Sequence, residues 1–179
     1  MKRFIKAIAA VSALSVLAMA PILGAVNPAS AQTQPQKGMT GSYIGAGVSA
    51  GLTNGGRTGD AANLGGNIQG RLAVPHVPVS LRGAVLFNDQ NSTVMPILSY
   101  DVPVAKNTNA YVGAGYSFVQ NEGVATPLGN KSAPVITAGV ERGLTPDIVI
   151  YGDAKYGIGA YKNSDGDAVS LQAGLGYHF

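Results

Sequence analysis

From Ser42 to Phe179, apolar residues fall on every second position, run after run. In the first run Ile44, Ala46, Val48, Ala50 and Leu52 share one parity, and Tyr43, Gly45, Gly47 and Ser49 the other. In the last, Val169, Leu171, Ala173, Leu175, Tyr177 and Phe179 alternate with Ser170, Gln172, Gly174, Gly176 and His178. Side chains two apart point to the same side of a strand, so each run carries one wholly apolar face. A helix would need a period of 3.6, which this region does not keep. The same split yields eight runs, at 42–52, 64–74, 79–88, 93–102, 109–119, 134–142, 147–159 and 168–179, separated by turn formers.

The apolar face of the third run is Val79, Leu81, Val85 and Phe87; of the fifth, Ala110, Val112, Ala114, Tyr116 and Phe118; of the seventh, Ile148, Ile150, Ala154, Tyr156 and Ile158. The opposite face holds small and polar residues with six charges: Arg71, Arg82, Asp101, Glu141, Asp153 and Lys155. A soluble up-and-down barrel would bury the apolar face and show these charges to water; a membrane barrel does the reverse. Runs of this length match the ~9–11 residues a tilted strand needs to cross a bilayer. An even strand count with flanking aromatics is the pattern of an outer-membrane barrel. The predicted fold is therefore all-β, an eight-stranded antiparallel up-and-down transmembrane β-barrel. Pro96 and Pro134 are weak points in their strands, because proline cannot donate a ladder hydrogen bond.

The start of the chain reads as a targeting segment. Lys2, Arg3 and Lys6 precede an uncharged apolar stretch from Ala7 to Ala20, and Ala29-Ser30-Ala31 supplies a small-x-small cleavage pattern with Ala29 and Ala31 as its small residues. An uncleaved anchor helix is the rival, but Pro21, Gly24 and Pro28 interrupt it. The division expected is a cleaved Sec signal peptide at 1–31, a short flexible periplasmic lead-in at 32–41, and the barrel domain at 42–179. The chain has 12 Lys and Arg against 9 Asp and Glu; losing Lys2, Arg3 and Lys6 leaves a neutral mature protein. The basic balance thus belongs to the export signal and gives no support to nucleic-acid binding. With no cysteine there are no disulfides, thiolate metal sites or lipid-modified cysteine.

The last residues, LQAGLGYHF, place Gln172, Gly174, Tyr177 and Phe179 in the order polar-x-Gly-x-x-aromatic-x-aromatic. This resembles the C-terminal signal by which outer-membrane barrels are recognised and folded. With the strand count, it makes the region from Ser42 to Phe179 similar to the small eight-stranded outer-membrane family that includes the membrane domain of OmpA, OmpX and OmpW. The resemblance implies a cell outer-membrane location in a Gram-negative-type envelope, reached through the periplasm. It also implies outer-membrane lipid, the barrel-assembly machinery and periplasmic chaperones as partners, and a monomer.

Tyr-[Ile/Val]-Gly-Ala-Gly-[Val/Tyr]-Ser occurs twice, from Tyr43 and from Tyr111. A phosphate loop would need a following helix, and none is predicted. Gly45, Gly47, Gly113 and Gly115 fall on the inward parity of strands one and five, so they are read as making room inside a narrow barrel. With periplasmic termini, the inner turns would be 74–78, 102–109 and 143–146, and the outer loops 53–63, 88–92, 119–133 and 160–167. Outer loops should be the longer set, and 88–92 breaks that rule against 102–109.

No catalytic, cofactor or metal residue is assigned. Some small outer-membrane barrels resemble lipid A enzymes that use a Ser/His pair near the outer leaflet. His76 and His178 both belong to the periplasmic end, out of reach of any serine at the outer rim. Asn163–Asp167 (NSDGD) lacks the full loop of a calcium site and is itself a turn signal. The six lumen charges, three of each sign, read as a paired lattice, with Arg71 and Arg82 against Glu141, Asp153 or Asp101. Tyr43, Tyr111 and Tyr151 narrow the periplasmic end. The function expected is a structural envelope protein with an occluded lumen and outer loops for surface contact. The alternative is a narrow porin or OmpW-like conduit for small or apolar solutes, favoured by inward Leu86, Met95 and Ile97.

Overall fold

In the computed structural model the alternating runs become eight antiparallel strands, with residues 37–53 and 63–179 described. Ala29 and Ala31, the rest of the signal segment, 32–36 of the lead-in and 54–62 of the first outer loop lie outside the described residues. The strands are β1 (Tyr43–Gly51), β2 (Asn63–Ala73), β3 (Val79–Phe87), β4 (Ser92–Ala105), β5 (Thr108–Val119), β6 (Ala133–Gly143), β7 (Ile148–Gly157) and β8 (Ala168–His178). Each pairs with its sequence neighbours, and β1 pairs with β8 from Tyr43↔His178 to Gly51↔Ser170, closing the barrel. Ser42 and Phe179 exchange backbone bonds at 2.9 and 3.2 Å beyond the last rung. Closure leaves no strand edge open, the condition for a sheet to stand in hydrocarbon.

Parity decides what faces where. Ile44, Val48, Leu64, Leu81, Leu98, Val112, Phe118, Ile136 and Leu175 stand exposed on the outer wall, while polar and charged neighbours one position away are buried in the lumen. Val169 is outward by parity yet buried; it pairs with Tyr156. Exposed Tyr100, Tyr177 and Phe179 mark the end that carries the start of β1 and the end of β8 (the near end). Phe87, Tyr116 and Phe118 mark the far end, with the Tyr116 and Phe118 rings 4.9 Å apart.

One expectation needs correction. The turn placed at 102–109 is only Lys106–Asn107, because β4 runs on to Ala105. Pro103 pairs with Asn109, and a register shift follows between Pro103 and Ala105, which carries the strand on to Ala105. The turn is then shorter than the four-residue far-end connection 88–91, and the inner-turn rule is restored for this hairpin. Asn107 takes a positive φ of 52° there. Pro96 is also tolerated: the β4–β5 pairing passes over Met95 and Pro96.

The charged lumen, a candidate functional site

Eight strands enclose a lumen only wide enough for side chains to fill it, and here charged ones fill the near half. Asp101 on β4 accepts from Arg71 Nη2 at 2.8 Å, Arg82 Nη2 at 2.9 Å, Ser99 Oγ at 3.2 Å, and Ser80 Oγ. Glu141 on β6 is fully buried; its two oxygens lie 2.8 Å from Arg82 Nη1 and 3.3 Å from Arg71 Nε. Arg82 also lies over the Tyr111 ring, 3.6 Å from its centroid, a cation–π contact in a desolvated setting. Two guanidiniums and two carboxylates thus form one cluster that bridges strands from both halves of the barrel.

Asp153 does not join it. It accepts from Lys155 Nζ at 2.5 Å and from Tyr111 OH at 2.8 Å, and Lys155 donates onward to Gln69 at 3.3 Å. Tyr43 and Tyr151 stack with centroids 5.8 Å apart, and Tyr151 OH donates to Asn67 at 2.6 Å. Each buried charge therefore has a partner of opposite sign and further hydrogen bonds. Without them burial would cost several kcal/mol per ion.

The glycines on the inward parity have specific jobs. A Cβ on Gly45 would lie 2.7 Å from the Tyr151 ring, and one on Gly139 2.5 Å from Asp153 Cβ and 2.7 Å from the Tyr111 ring. Those on Gly113 and Gly115 would meet Ile97, each at 2.9 Å. In the C-terminal motif, Gln172 is buried facing inward and Gly174 lies against Tyr151, while Tyr177 and Phe179 are exposed.

Segments that strand periodicity did not reveal pack into both ends of the barrel. At the near end Met39 is buried against Tyr43, Val149 and Tyr151. Asn109 holds its backbone from both sides, at 3.0 Å to the N–H and 2.8 Å to the carbonyl, and Arg71 donates to Gly41 O at 3.0 Å. Lys37–Gly41, the described part of the segment expected to be flexible, is therefore seated in the barrel mouth. Gly38 is required there: a Cβ would lie 2.7 Å from Asn109 Oδ1 and 2.8 Å from Pro103 Cβ, with φ at +91°.

At the far end the β5–β6 loop (120–132) folds back over the lumen. Leu128 is fully buried and joins Leu86, Met95, Ile97, Val135, Ala160 and Tyr161 in an apolar cluster. Thr126 and Asn130 fasten the loop, Asn130 N donating to Ala160 O at 2.9 Å and its Oδ1 accepting from Lys162 N at 2.7 Å. Asp167, of the NSDGD stretch, accepts from Gly159 N at 2.9 Å and from Tyr156 OH. His76 and His178 lie at the near end; the His178 ring nitrogens are 2.9 Å from Pro146 O and 2.6 Å from Thr40 O. Ser80, Ser99, Gln69, Asn67 and Asn109 were not singled out from sequence, although their parity matches that of the charges they hold. Met39 and Leu128 carried no comparable signal.

The architecture is that of the small eight-stranded transmembrane barrels found in bacterial outer membranes. Neisserial surface protein A superposes with a TM-score of 0.59 at 15% identity, over 78% of this chain and 98% of that one. Ail, the attachment invasion locus protein of Yersinia pestis, gives 0.52 at 18%, over 79% and 100%. The N-terminal β-barrel domain of Pseudomonas aeruginosa OprF gives 0.50 at 14%, over 77% and 97%. No family model and no curated protein matches the sequence. At these identities the likeness is one of fold.

Proposed function

We propose that this chain is an integral protein of a bacterial outer membrane, exported with removal of residues 1–31, and that its barrel is a closed scaffold presenting the far-end loops outside the cell. The observation that carries the reading is two layers of buried side chains across the lumen. The Arg71–Arg82–Asp101–Glu141 cluster lies at one level and the Leu128 cover at another, inside a wall whose outer face is apolar. A pore needs a continuous wet path, and each level supports its absence. Outer-membrane lipid, the assembly machinery and periplasmic chaperones are the partners of such a scaffold, with Gln172, Gly174, Tyr177 and Phe179 as the assembly signal. The monomer is its working form.

The test is conductance of the folded protein in a planar bilayer, after a heat-dependent gel shift shows that it is folded. A silent barrel supports the scaffold; steady unitary steps overturn it. A second reading, a conduit for small apolar solutes, draws on the apolar cluster of Leu86, Met95, Ile97 and Val135 beneath the Leu128 cover. Uptake of an apolar dye into vesicles holding the protein, abolished by Met95→Asp, would favour that reading.

A further inference from the structure

The near rim carries a basic patch that neither the strand pattern nor the lumen uses. The bridge Lys37↔Lys106 sets the lead-in beside the β4–β5 turn. Thr108 pairs with Arg142, and Gly143 N–H donates to Asn107 O at 2.9 Å, so the same turn is fastened to the end of β6. Three cations from separate segments are thereby carried on neighbouring stretches of backbone at one rim. All three are exposed, and among the described residues no carboxylate lies within 4.0 Å of their nitrogens. The near-rim turns set Asp147 against these three cations, whereas at the far rim the described residues have the opposite balance: Asp89, Glu122, Asp165 and Asp167 against Lys131 and Lys162.

Arg142 shares the outward parity of Ile136, Ala138 and Val140 and pairs with exposed Ile150, so it ends an apolar row of the lipid-facing wall. An arginine there lays its methylenes on the wall and extends its guanidinium into the headgroup layer. That fork grips a phosphodiester through two parallel hydrogen bonds, and the two lysines beside it add positive field on the aqueous side. A zwitterionic headgroup offsets its phosphate with its own cation; an anionic one does not.

We infer that Lys37, Lys106 and Arg142 form a docking site for the headgroup of an anionic phospholipid in the leaflet at the near rim. The site rests on the outer-membrane reading above. The test takes the full protein, extracted folded from membranes, and titrates it with phosphatidylglycerol or phosphatidylcholine, reading bound lipid by native mass spectrometry. Phosphatidylglycerol should bind about tenfold more tightly. The Lys37→Gln, Lys106→Gln, Arg142→Gln triple variant, changed only at exposed side chains, should bring that preference below about twofold. Lys131→Gln, at the far rim, should leave it intact. Equal binding of the two lipids, or a preference that survives in the triple variant, overturns the site. A protein that inserts into vesicles as a heat-modifiable barrel but shows no preference loses only this site. One that does not insert loses the outer-membrane reading with it.

Discussion

Arg82 on β3 and Glu141 on β6 meet at 2.8 Å through the lumen, although their strands are not neighbours in the sheet. Glu141 also faces Arg71, so its loss leaves two buried guanidiniums with Asp101 as their remaining carboxylate. Removing one partner of a buried ion pair costs about 3–5 kcal/mol. Glu141→Ala should therefore lower the urea midpoint of unfolding markedly, and Glu141→Gln, which keeps shape and an acceptor, by less. Unchanged unfolding of Glu141→Ala would show that the cluster is not a source of stability.

If the two layers close the proposed scaffold in series, opening one should not open the path. Glu141→Ala alone is expected to stay silent in a planar bilayer. Glu141→Ala combined with deletion of 121–131, which removes Leu128, is expected to conduct. Conductance by the single variant would mean that the far-end cover does not seal.

Leu128 is the loop's anchor in the apolar cluster. Leu128→Asp would place a charge among apolar side chains, a cost the loop avoids by lifting off. Trypsin should then cut after Lys131 rapidly while the barrel keeps its heat-dependent gel mobility. Equal cutting rates in wild type and variant would count against the anchor.

Gly45 and Ala46 are adjacent in sequence but opposite in consequence. A side chain on Gly45 enters the space of the Tyr151 ring and the Leu175 carbonyl, each 2.7 Å from its Cβ, whereas Ala46 faces outward and is exposed. Gly45→Val should destabilise the barrel by about 1–3 kcal/mol through overpacking. Ala46→Val, on the lipid side, should be near neutral. Equilibrium unfolding of the two variants in urea separates these outcomes.

Tyr161, in the connection after β7, is buried beside Leu128, and its hydroxyl lies 2.9 Å from Thr53 Oγ1. Burial raises its pKa, outweighing the Thr53 hydrogen bond, which lowers it. The folded loop thus holds the phenol proton more tightly than the unfolded chain. This stabilisation is complete below the unfolded value of about 10 and is lost as pH rises through the folded one. Subtilisin should cut the 120–132 loop faster above about pH 10 in wild type, and Tyr161→Phe should blunt that rise. An identical alkaline acceleration in both would assign the opening to other groups.

Much of the lumen could be read residue by residue. Arg71, Arg82, Asp101, Glu141, Asp153 and Lys155 each share inward parity with small neighbours, and parity is a local property of an extended chain. Which of them would pair could not be read. Asp153 was as good a candidate for the arginines as Asp101; it lies two residues from Lys155 on the same face of β7 and pairs with it at 2.5 Å, while closure of the barrel sets Asp101 and Glu141 against Arg71 and Arg82. The extension of β4 to Ala105 could not be read either, because the register shift between Pro103 and Ala105 depends on the partner strand.

By itself, then, the sequence determined the strand count, the inward and outward faces, the charges of the lumen and the apolar outer wall, because each follows from alternation along a short stretch of chain. Only the tertiary structure decided the closing β1–β8 register, the grouping of four charges into one cluster, and the placement of Lys37, Lys106 and Arg142 at one rim. It also decided that Met39 and Leu128 turn back into the mouths. Those arrangements join residues far apart in the chain through loops with no period, and closure of the barrel selects among pairings that local propensity leaves equal.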